Sequence, residues 1–484
     1  MNPMSPAKIA NACGGQLSAP GSGATVHAVG TDTRSLPSES LFVALRGPRY
    51  NGHDFLDQAA KSGAVAILVE QGHSPLQTCN SQGPAVITVA DTLAALQQLA
   101  VACRRHFAPC VLAITGSNGK TTVKEFVRAV LSVRHEVNAT QGNLNNHIGL
   151  PLSMLSLEQG QTHAVWELGM NQPGEIAELA QLAQPDIALV TNIGRAHIGN
   201  LGSIEAIARE KLSLYHALRP GGIAILNLDC PFAAAEREAI AKGGLRTLGV
   251  TCAAVGSAAP DIPEADLRGR LLDADAEGCF RLEVFVADTG SQPIRLRLPL
   301  AGPHMGINAM LAIAAGLATG ISPEEAAQAI EEAVIPGGRL RRTTFRGATL
   351  LDDSYNANPD SLAAALNTLA AIPSKGRRIA ILGAMGELGD TTESAYREAG
   401  LAAHAAGIDI VATIDADAIS RAFAEAGGEA RAFDCHETCA AWLADELTAA
   451  DVALVKGSRA AAMENILAAL ATRSARDEKE VHAL

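Results

Sequence analysis

The sequence predicts an α/β protein of three domains, and three observations carry that expectation. A chain of 484 residues exceeds what a single hydrophobic core fills, since domains run to about 100–200 residues. Short all-apolar runs alternate with helical stretches throughout, the pattern of parallel strands joined by helical crossovers. One glycine-rich turn, "TGSNGKTT" at 115–122, joins such a run to a helix in the manner of a phosphate-binding loop. With 48% apolar and 18% charged residues the chain has enough apolar side chains for these cores. Only 3% are aromatic and alanine is plentiful, which favours helix-rich layers over a β-sandwich.

The first domain, residues 1–107, alternates "LFVAL", "AVAILV" and "AVITV" with the helical "FLDQAAKSG" and "DTLAALQQLAVACRRHF". The proline in "HFAPC" closes it. The second, 108–333, offers the buried strands "CVLAIT", "HAVWEL", "DIALVT" and "GIAIL", so a parallel sheet with helices on both faces is expected. "FRLEVFVA" and "IRLRLPL" alternate polar and apolar residues and predict a small antiparallel addition. The third, 334–484, has "ATLLDD", "RIAILG", "DIVATI" and "DVALVKG", a Rossmann-like alternation. Its "GAMGELG" lacks the spacing of a dinucleotide fingerprint, which argues against NAD.

A net charge of −13 argues against a nucleic-acid partner, since phosphate backbones require clustered cations. The nine scattered cysteines (13, 79, 103, 110, 230, 252, 279, 435, 439) suit a reducing compartment. "CHETC" at 435–439 lacks a second ligand pair and lies in a helical run, so free thiols are expected rather than zinc. There is no signal pattern and no apolar run of membrane-spanning length; the expected location is the cytoplasm.

The loop is shorter than the common P-loop, whose first glycine would fall at position 114, an isoleucine. Its backbone amides at a helix N-terminus point at an anion, Lys120 reaches the β/γ-phosphates, and Thr121 falls where a hydroxyl meets Mg²⁺. Glu167 ends the strand "HAVWEL" and His197 follows "DIALVTNIG", where ligands gather in open sheets; singly, such a glutamate is more often a solvated carboxylate and such a histidine more often a capping or core residue. Lys211 lies on the apolar stripe of "SIEAIAREKLSLYHAL" with Ile204, Ile207, Ala208, Tyr215 and Leu218, Ser203 serving as N-cap. A lysine there either snorkels, pairs with a charge, or loses its proton and captures CO₂ as a carbamate.

These motifs together resemble the Mur ligase family, the ATP-dependent peptide-adding enzymes of bacterial cell-wall synthesis. "TGSNGKTT" is similar to that family's ATP loop, "WELGMNQPGEI" to its magnesium-ligand strand end, "TNIGRAHIGNLGS" to its histidine turn and "AREKLSLY" to its modified-lysine helix. "DDSYNANPDS", "GNLNNHIGLPLSML" and "KGSR" resemble the member that joins D-Ala-D-Ala to UDP-MurNAc-tripeptide. "TDTRSLPSESLFVALRGPRYNGHDF" resembles the UDP-binding first domain. The resemblance covers nearly the whole chain.

It implies ATP held by Gly116, Ser117, Asn118, Gly119, Lys120, Thr121 and Thr122. It also implies two Mg²⁺ ions, one on Thr121 and one served by Glu167, His197 and a carbamylated Lys211. Lys120, Glu167, His197 and Lys211 form the implied catalytic set. Asn308 is implied near the adenosine and Arg339 on the phosphates. Asp353, Tyr355 and Asn356 are implied to line the cleft where ATP meets the dipeptide. Thr33, Arg34 and Arg46 would contact the UDP-sugar, and Asn143, Asn145 and Asn146 would position the peptide substrates. A monomer acting on small molecules, with no nucleic acid and no membrane insertion, is expected. Two positions depart from the family pattern: Met305 where Asn is usual, and Ala384 where Asp is usual.

A folylpolyglutamate synthetase of the same superfamily is disfavoured by "DDSYNANPDS" and the first domain. A P-loop ATPase that moves a partner would need neither Glu167, His197 and Lys211 nor a third domain. An inactive paralogue would not need Lys120 and Glu167 intact.

Overall fold

A computed structural model describes residues 2–73, 83–258, 262, 264–287 and 292–482. Cys79 lies outside the described residues. Among those described, strands form three sheets. The first contains β1 (Gln16–Ala19), β2 (Ala28–Gly30), β3 (Ser40–Val43), β4 (Ala64–Glu70) and β5 (Ala85–Val89), in the order β1-β5-β4-β3-β2. Only β1 runs antiparallel to its neighbour. Phe42, Ile67, Val69 and Val86 fill its core with Leu56 and Ala59 of the helix Leu56–Lys61.

The second sheet contains β6 (Cys110–Thr115), β7 (Val137–Ala139), β8 (His163–Glu167), β9 (Ile187–Val190), β10 (Ile223–Asn227), β11 (Arg246–Ala253), β12 (Leu267–Ala274), β13 (Cys279–Val286) and β14 (Ile294–Ala301). Its order is β14-β13-β12-β11-β10-β9-β6-β8-β7. β7, β8 and β6 are parallel, and β12, β13 and β14 form the expected antiparallel addition. The third contains β15 (Arg341–Phe345), β16 (Ala348–Asp353), β17 (Arg378–Gly383), β18 (Ile410–Ile414), β19 (Glu429–Phe433) and β20 (Val452–Lys456), in the order β15-β16-β20-β17-β18-β19. All its pairs are parallel except β15 with β16.

The chain groups into two compact units, one of residues 1–115, 134–189 and 213–223, the other of 116–133, 190–212 and 224–484. Among the described residues no helix is long and apolar enough to cross a membrane. The eight described cysteines are free. Cys439 is buried in the helix His436–Glu446, where burial pushes its thiol up to about 12. His436 Nε2 lies 2.7 Å from the Ala461 carbonyl oxygen, so the "CHETC" run is helical with its histidine engaged on the backbone.

One clamp fixes the strands that carry the third sheet's functional ends. Asp451, just before β20, accepts hydrogen bonds from the Arg377 backbone N–H at 2.7 Å, the Arg377 guanidinium at 3.0 Å and the Thr448 N–H at 2.9 Å. Burial alone would raise this carboxyl's pKa, but those bonds pull it down to about 2. A depressed carboxyl contributes stability that is present above its unfolded value near 4 and is lost as pH falls through the folded value. Asp451→Asn should therefore cost about 2 kcal/mol at pH 7. In denaturant titrations its deficit relative to the parent should shrink between about pH 4 and pH 2.

Candidate active site

The phosphate-loop candidate is built almost entirely by its neighbours. β6 delivers the chain to Gly116, and the helix Lys120–Leu131 starts after Gly119, whose φ is +77°. The segment after β9 pins the turn between them. Asn192 accepts the Ser117 N–H at its carbonyl and the Asn118 N–H at its side chain, both at 2.9 Å. Thr191 Oγ1 donates to the Asn118 carbonyl at 2.6 Å, and Ser117 Oγ donates to the Gly194 carbonyl at 3.0 Å. A Cβ on Gly119 would lie 2.9 Å from Asn308 Oδ1, so the amide of Asn308 presses against the loop. Lys120 Nζ turns back to donate to the Gly116 carbonyl at 2.8 Å. Thr121 and Thr122 are buried in the helix's first turn.

Lys211 is 1% exposed in the helix Ile204–His216. A snorkelled ammonium would be wet, so that alternative does not describe this residue. Burial first, then the charge of Lys120, pushes the Lys211 amine well below the ordinary lysine range, with Glu210 opposing. Ser203 caps the helix as expected, accepting the Ala206 N–H at 3.2 Å, while Leu218 falls beyond the helix end.

His197 occupies a left-handed conformation, φ +66°, and so does Glu387 at +62°. Non-glycine residues are rarely held there unless their surroundings enforce it. The enforcement is mutual: His197 Nδ1 lies 2.5 Å from Glu387 Oε2, and the Gly199 N–H donates to the Glu387 carbonyl at 2.9 Å. A Cβ on Gly199 would lie 2.5 Å from the Gly389 nitrogen, so this contact is backbone against backbone. The bond from His197 holds the Glu387 carboxyl below its usual range, assisted by the charge of Lys120.

The "DDSYNANPDS" turn meets the same loop. Asn358 Nδ2 donates to Asn118 Oδ1 at 2.7 Å, while Asn358 Oδ1 caps the helix Pro359–Ala371 by accepting the Ser361 N–H at 3.0 Å. Asp360 accepts from the Arg195 N–H at 2.6 Å and from its Nε at 3.1 Å, and Arg195 also reaches Glu398 at 2.6 Å. The Arg339 guanidinium stacks 4.2 Å over the Tyr355 ring, a cation–π geometry. Asp353 pairs with Lys456 at 2.5 Å, and Lys456 also donates to the Asn356 carbonyl at 2.9 Å.

In the other unit Glu167 ends β8, 3% exposed, accepting from Asn145 Nδ2 at 2.9 Å. Thr140 Oγ1 accepts the Glu167 N–H at 3.0 Å. Asn146 Oδ1 accepts the Ile148 N–H at 3.1 Å and the Gly149 N–H at 2.8 Å in the turn before the helix Gly149–Leu155, and Asn143 is exposed. Asn145 and Asn146 therefore have structural partners of their own. Arg34 is bound to Asp32 at 2.6 Å, Arg46 to Glu70 at 2.7 Å, and the Thr33 carbonyl accepts from Ser62 at 3.2 Å. Both arginines are already paired with carboxylates.

Three family models match the chain: the Mur ligase family catalytic domain at residues 25–103, the Mur ligase middle domain at 114–316, and the Mur ligase glutamate ligase domain at 338–459. The chain belongs to the Mur ligase family. A curated Mur ligase from Bacillus subtilis, UDP-N-acetylmuramoyl-tripeptide–D-alanyl-D-alanine ligase, is 37% identical over 82% of this chain and 79% of its own. The crystal structure of MurF from Acinetobacter baumannii superposes with a TM-score of 0.83 at 29% identity, covering 97% of this chain and 99% of that one. MurF ligase from Thermotoga maritima, solved in complex with ADP, gives 0.77 at 26% identity, covering 93% and 99%. The three-domain α/β architecture expected from the sequence is that of these Mur ligases.

Two departures from the Mur ligase pattern have visible consequences. Met305 places its sulfur 3.7 Å from Asn308 Nδ2, so a thioether meets the amide that presses on the loop. At Ala384 the backbone carries the contact: its carbonyl accepts the Ser458 N–H at 2.9 Å. The residues that sequence reasoning passed over are Asn192, Arg195, Asn358, Asp360, Glu387 and Lys456. All six lay inside quoted motifs, where their positions within "TNIGRAH", "DDSYNANPD", "GAMGELG" and "KGSR" were the available signal; Glu398, which Arg195 reaches, lay outside them. Asn358→Ser keeps a capping oxygen but cannot reach Asn118. It should retain the parent melting temperature within about 2 °C while weakening ATP binding several-fold by calorimetry; Asn358→Ala should lose about 1 kcal/mol of stability as well.

Proposed function

We propose that this chain is an ATP-dependent amide ligase (EC 6.3.2.10). It joins D-Ala-D-Ala to UDP-MurNAc-tripeptide, yielding UDP-MurNAc-pentapeptide, ADP and phosphate in peptidoglycan precursor synthesis. Residues 1–107 bind the UDP-sugar, 108–333 bind ATP and 334–484 complete the ligase site, each division falling between two sheets. The enzyme works in the cytoplasm as a monomer. The observation that carries the reading is the bond between Asn118 and Asn358, which brings the nucleotide loop and the motif typical of this ligase into one site.

A carboxylate and an ammonium do not condense at neutral pH, because oxide is a poor leaving group. The tripeptide carboxylate therefore attacks the γ-phosphate of ATP in line, giving an acyl phosphate and ADP. The dipeptide amine then attacks the acyl carbon, and the tetrahedral adduct expels inorganic phosphate. No covalent enzyme intermediate is required. Bringing an anion to a polyphosphate makes charge neutralisation the dominant demand. Lys120, at the start of a twelve-residue helix, meets part of it. Gly116 and Gly119 let backbone approach the phosphates, and Arg339 adds a cation from the third domain. Thr33, Arg34 and Arg46 receive the UDP-sugar, for which Asp32 and Glu70 must yield their arginines. Asp353, Tyr355 and Asn356 line the acceptor side, with Asn143 and Asn145 toward the peptide.

Thr121 suits one Mg²⁺, and Glu167, His197 and Lys211 suit a second provided Lys211 is carbamylated. The burial of Lys211 beside the charge of Lys120 favours that modification, since a carbamate replaces two like charges by an opposite pair. The ions, when bound, neutralise the polyphosphate and its transition-state charge.

Phosphate release measured with UDP-MurNAc-tripeptide should depend on added D-Ala-D-Ala and yield the pentapeptide; release indifferent to the dipeptide refutes the reading. Lys120→Ala should lower that rate at least ~10²-fold with the fold retained. Lys211→Ala should be nearly inactive and partly rescued by short carboxylic acids such as formate or acetate; full activity without them removes the carbamate.

A further inference from the structure

Lys456 is a buried cation that the mechanism above leaves without a task. It ends β20, the strand flanked by β16 and β17 in the third sheet, and the parallel register sets it directly beside Asp353 at the end of β16. Its side chain is 3% exposed and that of Asp353 15%. Nζ is shared between Asp353 Oδ2 at 2.5 Å and the Asn356 carbonyl at 2.9 Å. Taking both charges from water costs several kcal/mol per ion, and apolar pairs of similar volume often serve a core equally well. Here the pair sits at the carboxyl ends of parallel strands, where ligands bind in open α/β sheets. Around it stand Arg339 and Tyr355, stacked on one another, and His304, whose Nδ1 is buried without a hydrogen-bond partner.

We propose that Lys456 is a positioning residue of the ligase reaction: it holds the Asp353 carboxylate and the Asn356 turn in place to accept a hydrogen-bond donor of the nucleotide or the incoming dipeptide. The proposal rests on the ligase function argued above. Burial pushes the Asp353 carboxyl up, while the charge and bond of Lys456, the charge of Arg339 and the Leu340 N–H oppose it. The other titratable groups at this point are Asp352 and Tyr355 on the same segment and Arg341, 3.8 Å from Asp352. His304 faces from the helix Met305–Ala318, held down to about 4 by burial and by Lys456. If the carboxylate is the working form, activity falls as pH drops through its pKa. Removing Lys456 raises that pKa, so the fall begins at higher pH.

The test is the pH profile of kcat/KM for ATP and for D-Ala-D-Ala in the parent, Lys456→Met and Lys456→Arg. Lys456→Met should move the acid limb up by about 1–3 pH units and raise one of the two KM values at pH 6 more than it lowers kcat. That KM identifies the donor, and Lys456→Arg should return the limb toward the parent. An unmoved limb with uniformly lower activity overturns the proposal. Thermal melts of Asp353→Asn, Lys456→Met and the double variant supply a readout independent of turnover. The double variant should melt above Asp353→Asn alone, because the single change strands a buried cation; additive losses overturn the pair. Dipeptide-independent phosphate release by the parent would remove the ligase reading while leaving the melting result intact.

Discussion

The phosphate loop cannot shape itself, and the second unit is organised around that constraint. Four residues lie between Thr115 and Lys120, too few to fold back on their own hydrogen bonds. Asn192 takes two of their amides, Thr191 takes a carbonyl, and Asn308 fills the space a side chain at Gly119 would need. Lys120 therefore begins its helix at a point fixed by two other segments. Its charge is felt at Lys211 and at Glu387. Moving the loop would disturb both residues without touching either.

Charge is distributed locally in a chain that is acidic overall. Among the described residues, two of the three buried lysines of the second unit illustrate opposite solutions to the same cost. Lys456, in a strand-end position, is given a carboxylate and a carbonyl as partners. Lys211 is given another cation as its neighbour, which disfavours its protonated form. One geometry pairs a charge and the other disfavours one. Both lysines are buried, one on a helix and one at a strand end, so their neighbours decide between the outcomes.

Much of this was legible from residues. All-apolar strands such as "CVLAIT" and "RIAILG" were read correctly because both faces are covered. The edge strands β15 and β19 were missed because they are largely exposed: "RRTTF" has no apolar alternation, and the alternation of "EARAF" is carried by small alanines. β7, three residues long, offers no period at all. At the site, the glycine-lysine turn, Glu167, His197 and Lys211 stood out by residue type and place. Asn192 and Asn358 did not, since an asparagine that shapes a neighbouring loop looks the same in sequence as one that caps its own turn. Asn146 shows that one amide can also carry a local turn, accepting the Ile148 and Gly149 N–H groups.

Asn358 carries two hydrogen bonds of different kinds on one amide. Its oxygen ends a helix and its nitrogen ends a loop. Fraying of that helix's first turn and loosening of the phosphate loop are thereby one local opening rather than two. A nucleotide that orders the loop stabilises backbone it never touches. Amides of Ser361 and its neighbours become reporters of events at Asn118, some 240 residues earlier in the chain.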